Sequence, residues 1–243
     1  MIETTLSEHT AKAFDSDLHE LIRMIAEMGG LVESQIRDAV DALAERNIEL
    51  ARRTIAADDA ADLLQREIEG KAVVTIARRQ PMAVDLREVV GILRIANDLE
   101  RIGDLAKNIG RRAIALDGEP TPHRPIRGFK NMSALVLGQL RDVLDSFIER
   151  DLAKATSVWT RDEKIDAMYT SLFRELLTYM MEDPGTITFG IHLLFCAKNI
   201  ERIGDHTTNI AEAVHYIIDG HSFATERPKA DATSLMPLAF GAT

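Results

Sequence analysis

Four pairs of carboxylates spaced four residues apart carry the clearest chemistry in this sequence. The pairs are Asp58 with Asp62, Glu100 with Asp104, Asp162 with Asp166, and Glu201 with Asp205. On an α-helix, residues at this spacing lie on one face, a single turn apart. Carboxylate oxygens contributed by two adjacent helices form a hard-oxygen site that suits Mg, Mn, Fe or Ca. Zinc fits such a site less naturally, although carboxylates can ligate it.

The same residues also fit a plain solvated surface, and the sequence leaves both interpretations open. Arg101 and Lys107 flank Asp104 at three residues on either side and could offset its charge. Against this, like charges at i and i+4 cost about 0.2 to 0.5 kcal/mol per pair, so four such pairs are an unusual choice for inert surface.

A segment that contains one carboxylate pair occurs twice. Residues 96–109 read ANDLERIGDLAKNI and residues 197–210 read AKNIERIGDHTTNI, with eight identities in fourteen positions. The copies lie 101 residues apart, which indicates an internal repeat. Glu, Arg, Asp and Asn recur in both copies, whereas a merely soluble surface would accept any hydrophilic residue. The repeat therefore favours a shared cation site.

Apolar residues at steps of three and four predict six long helices that position these pairs. Their predicted ranges are 18–46, 49–79, 84–116, 129–149, 152–182 and 187–219. A proline-rich linker follows the third helix, so we expect an all-α fold of two tandem three-helix bundles related by an internal pseudo-twofold repeat. The predicted boundaries are 1–118 for the first bundle, 124–221 for the second, and 222–243 for a loosely ordered tail.

Composition narrows the functional class. The net charge of −10 argues against a nucleic-acid partner, and the single cysteine excludes an internal disulfide framework. The first residues lack signal-peptide features and no apolar run is long enough for a membrane span, so we expect a cytoplasmic protein with at most a peripheral membrane role. The sequence has no phosphate-binding P-loop, dinucleotide fingerprint or nucleophile elbow, and one Glu-x-x-His motif where a di-iron enzyme needs two.

Three further positions carry weaker signals. Gly103 and Gly204 lie inside predicted helices, where we favour tight helix crossing over close approach of a ligand. His206 follows Asp205 in the second copy alone, and we interpret it as a surface histidine. Cys196 stands between apolar neighbours, which predicts packing and not reactivity.

At the repeated ERIGD segments the sequence resembles the PhoU family of bacterial phosphate-signalling regulators. Other matching segments are MGGLVE at 28–33, RRQP at 78–81 with DLR at 85–87, YMMED at 179–183 and FCA at 195–197. The similarity extends from about residue 6 to residue 220, and a double ERIGD at this spacing is highly specific. The tail beyond residue 223 lies outside it.

The resemblance implies a fold of two three-helix bundles whose E(D)-x-x-x-D motifs bind multinuclear metal clusters. Those motifs correspond here to the four carboxylate pairs, with Fe, Mn, Mg or Zn as candidate metals. It also implies a non-enzymatic, homodimeric negative regulator. Such a protein couples the phosphate ABC transporter, through its ATPase subunit, to a sensor histidine kinase, and restrains uptake and the phosphate-starvation response when phosphate is plentiful.

Two alternatives belong to other functional classes. A metal-independent acidic adaptor would use the carboxylate faces to dock basic partners, and its binding would respond to salt but not to chelator. A metal-dependent phosphohydrolase would use the paired carboxylates and a bridging hydroxide, and a chelator would abolish its turnover.

Overall fold

The computed structural model describes the backbone of residues 2–118 and 126–223, and the side chains of residues 12–118 and 127–223. Within these ranges the chain is helical, with no β-strand. The helices are α1 (Ile2–Glu45), α2 (Ile48–Arg79), α3 (Val84–Ala115), α4 (Ile126–Glu149), α5 (Leu152–Thr160), α6 (Glu163–Glu182) and α7 (Ile187–Asp219), and a 3-10 turn, Pro184–Thr186, precedes α7. Most of the predicted linker and of the predicted tail lies outside the described residues.

Local sequence signals explain where several helices begin and end. The side chain of Asn47 accepts a hydrogen bond from the backbone N–H of Leu50 at 3.0 Å and caps α2, and Asp151 caps α5 through Lys154 in the same way. Gly220 ends α7 with a φ of 91°, a left-handed conformation that glycine adopts without strain. The short connections between α1, α2 and α3 force them into antiparallel neighbours.

The helices form two bundles that share one long interface. Helices α1, α2 and α3 pack on one another, α4 to α7 form the second group, and α3 runs along α7 while α1 contacts α4. The predicted seam of α3, which includes Ile95, Leu99, Ile102 and Ile109, is fully buried. The predicted pair of three-helix bundles is thereby confirmed. The interface between α3 and α7 brings the two ERIGD helices side by side.

The fifth helix, predicted as continuous over 152–182, is two helices in the structure. Helix α5 ends at Thr160 and α6 begins at Glu163, and in the turn between them the carbonyl of Arg161 accepts from the Gln139 side chain and from the Lys164 backbone N–H, each at 3.2 Å. The Arg161 guanidinium also bonds Asp142 at 2.5 Å and holds the turn against α4. As a result Asp162 and Asp166 lie at the start of a helix, whereas Asp58 and Asp62 lie in the middle of one.

Most of the exposed large apolar side chains lie near two corresponding helix connections. Around the α2–α3 turn they are Val73, Val74, Met82, Val84 and Leu86, and around the α6–α7 turn they are Leu177, Met181, Ile187, Ile191 and Phe195. We call these two groups the apolar tips. No helix in the described ranges is both long and apolar enough to cross a bilayer.

The two motif glycines lie at tight helix crossings, as predicted. A Cβ on Gly103 would lie 3.1 Å from Gln35 Oε1 and 3.5 Å from Asp58 Oδ1, and one on Gly204 would lie 2.9 Å from Ile165 Cδ1. These helices can approach closely because the glycines carry no side chain at the contact.

We expect Gly204→Ala to lower the free energy of unfolding by about 1 to 2 kcal/mol, because Ile165 is fully buried and must shift to admit the methyl group. Gly70→Ala is the control, since nothing lies within 4 Å of its Cβ position and alanine has the higher helix propensity. It should stabilise the protein by about 0.8 to 1 kcal/mol. Urea unfolding of both variants measures the difference, and equal effects would contradict tight packing at Gly204.

Candidate functional site

Helices α2 and α3 bring the first two carboxylate pairs together. We call Asp58, Asp62, Glu100 and Asp104 the first cluster. Asp58 is 1% exposed, and burial raises its pKa, an effect that the neighbouring charges of Asp62 and Asp104 reinforce. Burial also raises the pKa of Glu100. The four side chains therefore form one electrostatically coupled group across the helix contact.

A lysine ammonium lies within the first cluster. Lys107 Nζ donates a short hydrogen bond to Asp58 Oδ2 and lies 3.6 Å from Asp104 Oδ1, so it joins α2 to α3. The bond to Asp58 raises the pKa of Lys107 and keeps it cationic. Arg101 adds contacts of 3.3 Å to Glu100 and 3.5 Å to Asp104. The chain thus supplies its own counter-ions to this cluster.

The second cluster consists of Asp162, Asp166, Glu201 and Asp205, where α6 starts against α7. Asp162, Asp166 and Glu201 are 2%, 3% and 4% exposed, so this group is more deeply buried than the first. Burial raises the pKa of Glu201 to about 7, opposed by the hydrogen bond from Lys198 and reinforced by the charges of Asp205 and Asp166.

One oxygen of Glu201 is left without a hydrogen bond. Its Oε1 accepts from Lys198 Nζ at 2.8 Å, but Oε2 is buried and has no partner. A buried carboxylate oxygen without a donor is costly, and such an atom in a native protein calls for an explanation. A cation between Glu201 and the neighbouring carboxylates would supply one.

The repeat places different residues at the position of the internal cation. Lys107 follows Asp104 by three residues, and the corresponding residue after Asp205 is Thr208. Its hydroxyl lies 3.3 Å from Asp162 Oδ1 and 3.1 Å from the Gly204 carbonyl oxygen, and its single hydrogen can be donated to either acceptor. A hydroxyl adds no charge at this position, and the ammonium of the second cluster comes instead from Lys198, which corresponds to Asn97 in the first copy.

In the part of the chain that the structure describes, no three His, Cys, Asp or Glu side chains are already arranged to hold a metal ion. The donor chemistry of the second cluster nevertheless fits a hard cation, with four carboxylates and the unpartnered Glu201 oxygen. In the first cluster the Lys107 ammonium occupies the acceptor of Asp58. The sequence predicted both clusters as ligand sets, with Asp58 and Asp62 as the weakest pair, and the unpartnered Glu201 oxygen makes the second cluster the stronger candidate.

Two other predicted roles had different outcomes. The interpretation of His206 as a surface histidine is wrong, because its side chain is 19% exposed and its Nδ1 lies 2.8 Å from Asp98 Oδ1 on α3. Asp98 also accepts from Asn209 at 3.3 Å, so it ties α3 to α7. Cys196 is fully buried and burial raises its pKa to about 12, as expected of a packing cysteine.

Known proteins are similar to this chain in both sequence and fold. A model of the PhoU domain matches residues 25–113 and 129–214, once in each bundle. The phosphate-specific transport system accessory protein PhoU homolog of Rhizobium meliloti is 54% identical over 228 residues, covering 94% of this chain and 96% of that protein. The homolog of Caulobacter vibrioides is 49% identical over 94% of this chain and 100% of that protein.

Two crystal structures agree with the architecture. PhoU from Pseudomonas aeruginosa superposes with a TM-score of 0.83 at 39% identity, covering 86% of this chain and 100% of that one. The phosphate transport system regulatory protein PhoU from Streptococcus pneumoniae gives 0.81 at 31% identity, covering 87% and 100%. The tandem domain match, the curated relatives and these structures agree, and the chain belongs to the PhoU family.

Proposed function

We propose that this chain is a cytoplasmic negative regulator of phosphate uptake and of the phosphate-starvation response. It couples the phosphate ABC transporter, through the ATPase subunit, to a membrane sensor histidine kinase. Membership of the PhoU family and relatives named for phosphate-specific transport support a role in regulating phosphate transport. We further propose that the chain binds the kinase, contacts the ATPase subunit and forms a homodimer.

A metal ion bound by the second cluster is the chemical part of the proposal. The carrying observation is the buried Glu201 oxygen without a hydrogen bond, beside three other carboxylates. Asp162, Asp166, Glu201 and Asp205 would hold the ion after rotation of their side chains. A bound divalent or trivalent cation would neutralise the group and tie the start of α6 to α7.

Regulation without catalysis requires only binding that differs between the states of a partner. The apolar tips defined above offer exposed side chains such as Met82 and Met181, which are 80% and 83% exposed. Exposed apolar groups of this kind are typical of protein contacts. Rigid packing of α6 on α7 would fix the orientation of the second tip toward its partner.

The metal component is tested by elemental analysis of protein purified without chelator or affinity-column metal. We expect about one or more ions of Fe, Mn, Mg or Zn per chain in the wild type and a loss in Asp205→Asn. Asp104→Asn is the matched control in the first cluster and should retain the content. A wild type that is folded and metal-free would contradict this part of the proposal.

The regulatory component is tested by binding to the transporter ATPase subunit and to the kinase, with and without chelator. Loss of binding on chelation supports a metal-dependent regulator. Binding that salt weakens and chelator leaves unchanged supports the acidic adaptor. Chelator-sensitive turnover of a phosphate ester would instead support the phosphohydrolase, and sedimentation of the purified protein tests the dimer.

A further inference from the structure

A second pair of equivalent sites lies in the groove between α3 and α7, away from the carboxylate clusters. One cavity, of about 300 Å³, is lined by Asn108, Arg111, Arg112, His192, Phe195 and Asn199. We call it the basic pocket. The other, of about 450 Å³, includes Arg94, Asp98, Asn209, Glu212 and Tyr216, and we call it the acidic pocket.

The internal repeat relates the two pockets residue by residue. Asn108 corresponds to Asn209, Arg111 to Glu212, and Asp98 to Asn199, each pair 101 positions apart. Both carboxylates of the acidic pocket are therefore absent from the basic pocket, one replaced by an amide and the other by a guanidinium. The two pockets lie at equivalent positions of the repeat, but their side chains carry net charges of opposite sign.

The two arginines of the basic pocket have no acidic partner. Among the described residues no carboxylate oxygen is paired with Arg111 or Arg112 within 4.0 Å, in a chain with a net charge of −10. Arg111 bonds the Asn108 side chain at 3.2 Å instead. Two guanidinium groups that line one cavity without a carboxylate partner can both offer N–H donors to an anion there.

The Arg112 guanidinium is also held in place. Its Nη1 lies 3.3 Å from His192 Nδ1, and its central carbon lies 4.1 Å from the centroid of the Phe195 ring. Contact with an aromatic face and with an imidazole nitrogen holds the guanidinium in place without pairing it with a carboxylate. Fixing a binding group before the ligand arrives lowers the entropy lost on binding.

We propose that the basic pocket binds a phosphate-class oxyanion. Two guanidiniums and the amides of Asn108 and Asn199 supply several N–H donors around one cavity, and they match a small ion with several acceptor oxygens. The cavity volume admits either inorganic phosphate or the phosphate of a small organic ester. Since α3 and α7 carry Glu100 and Glu201 as well, an anion here would contact both ERIGD helices.

Calorimetric titration of the purified full chain with inorganic phosphate tests the proposal. We expect saturable binding, with a dissociation constant of about 0.01 to 1 mM. Asn199→Asp copies the carboxylate of the acidic pocket at nearly constant shape and should weaken binding by about tenfold or more, because a like charge then faces the ion. Arg112→Met should weaken it similarly.

The acidic pocket supplies the matched control. Arg94→Met also removes one arginine from the α3–α7 groove, where Arg94 lies 4.9 Å from the Tyr216 ring, and it should leave phosphate binding unchanged. Circular dichroism and thermal unfolding verify that each variant is folded. No saturation by 10 mM phosphate, which is about tenfold above the weakest expected constant, or equal affinity in Asn199→Asp and wild type, overturns the proposal.

Parallel titrations with adenosine monophosphate and sulfate separate the possible sources of the anion. Tighter binding of the nucleotide identifies an organic phosphate, and tighter binding of inorganic phosphate identifies the free ion. Sulfate that binds as well as both, with an affinity that falls steeply with salt, would show only nonspecific attraction and would overturn the assignment. None of these readouts depends on the metal proposed for the second cluster.

Discussion

Replacing Lys107 by alanine is expected to lower the free energy of unfolding by about 3 kcal/mol at neutral pH. Asp58 is 1% exposed and would lose its cationic partner, and removing one member of a buried pair leaves an uncompensated charge. The Asp104 carboxylate would lose a contact as well. Urea unfolding in the presence of chelator measures the change.

The control for this effect is the double variant Asp58→Asn with Lys107→Ala. It removes the carboxylate charge together with its partner, so it should recover most of the lost stability. If the double variant is as unstable as Lys107→Ala alone, the loss comes from packing of the lysine stem and not from the unpaired charge.

Lys107→Thr extends the same experiment to metal binding. It installs in the first cluster the residue that the second cluster has at Thr208. We expect this variant to bind Mn²⁺ in the first cluster more tightly than wild type does, and added Mn²⁺ to restore stability, because a ligand that binds the folded state stabilises it. Mn²⁺ electron paramagnetic resonance measures the binding. Unchanged binding would show that the ammonium does not oppose metal.

Glu201→Gln is expected to stabilise the metal-free protein above pH 7. Burial raises the folded-state pKa of Glu201 to about 7 from an ordinary value of 4.5. The folded state therefore binds more protons than the unfolded state between these values, and stability falls as the pH rises through that window. Below it Glu201 is protonated in both states and its contribution is constant.

Glutamine removes this pH dependence because it stays neutral. At pH 8 in chelator we expect the variant to be about 2 to 3 kcal/mol more stable than wild type, with little difference near pH 4.5. Glu100→Gln is the matched control in the first cluster, where burial also raises the carboxyl pKa and the Arg101 charge partly opposes that rise. Thermal unfolding at both pH values measures the effects, and a Glu201→Gln gain that is independent of pH would contradict a buried ionised carboxyl.

Added metal should make wild type more stable than Glu201→Gln, which reverses the order of stability expected in chelator. A bound cation stabilises ionised Glu201, so wild type gains from metal while Glu201→Gln gains much less. The same substitution thus stabilises the empty protein and weakens the loaded one. These opposite effects of one substitution distinguish a carboxylate that binds the metal from one that is only buried.

Hydrophobic periodicity and the internal repeat predict much of the fold of this protein. Steps of three and four among apolar residues such as Ile95 and Leu99 predicted the buried seam of α3, because the 3.6-residue period of a helix maps directly onto one face. The 14-residue repeat predicted two equivalent bundles. The break after Thr160 escaped this reasoning, since the turn there contacts Gln139, which lies 22 residues before Arg161 in the chain, and periodicity reports only on near neighbours.

The sequence showed the eight carboxylates, but it did not fully show that the first and second clusters differ. The alignment of the two copies already set Lys107 against Thr208 and Asn97 against Lys198, and this signal could have shown that the clusters take their ammonium from different positions. Likewise the pairing of Asn199 with Asp98 could have pointed to the change of charge in the groove. Neither difference has a meaning until it is known which side chains face each other.

The sequence alone therefore determined the helices, the duplicated bundle and the eight candidate carboxylates, because each depends on neighbours within a few turns of one helix. Only the tertiary structure decided that Lys107 reaches Asp58 across α2 and α3, and that one oxygen of Glu201 is buried without a partner. It also decided that Arg111 and Arg112 share a cavity with residues of α7. Burial and contacts between distant segments set charge balance, and a linear pattern does not encode them.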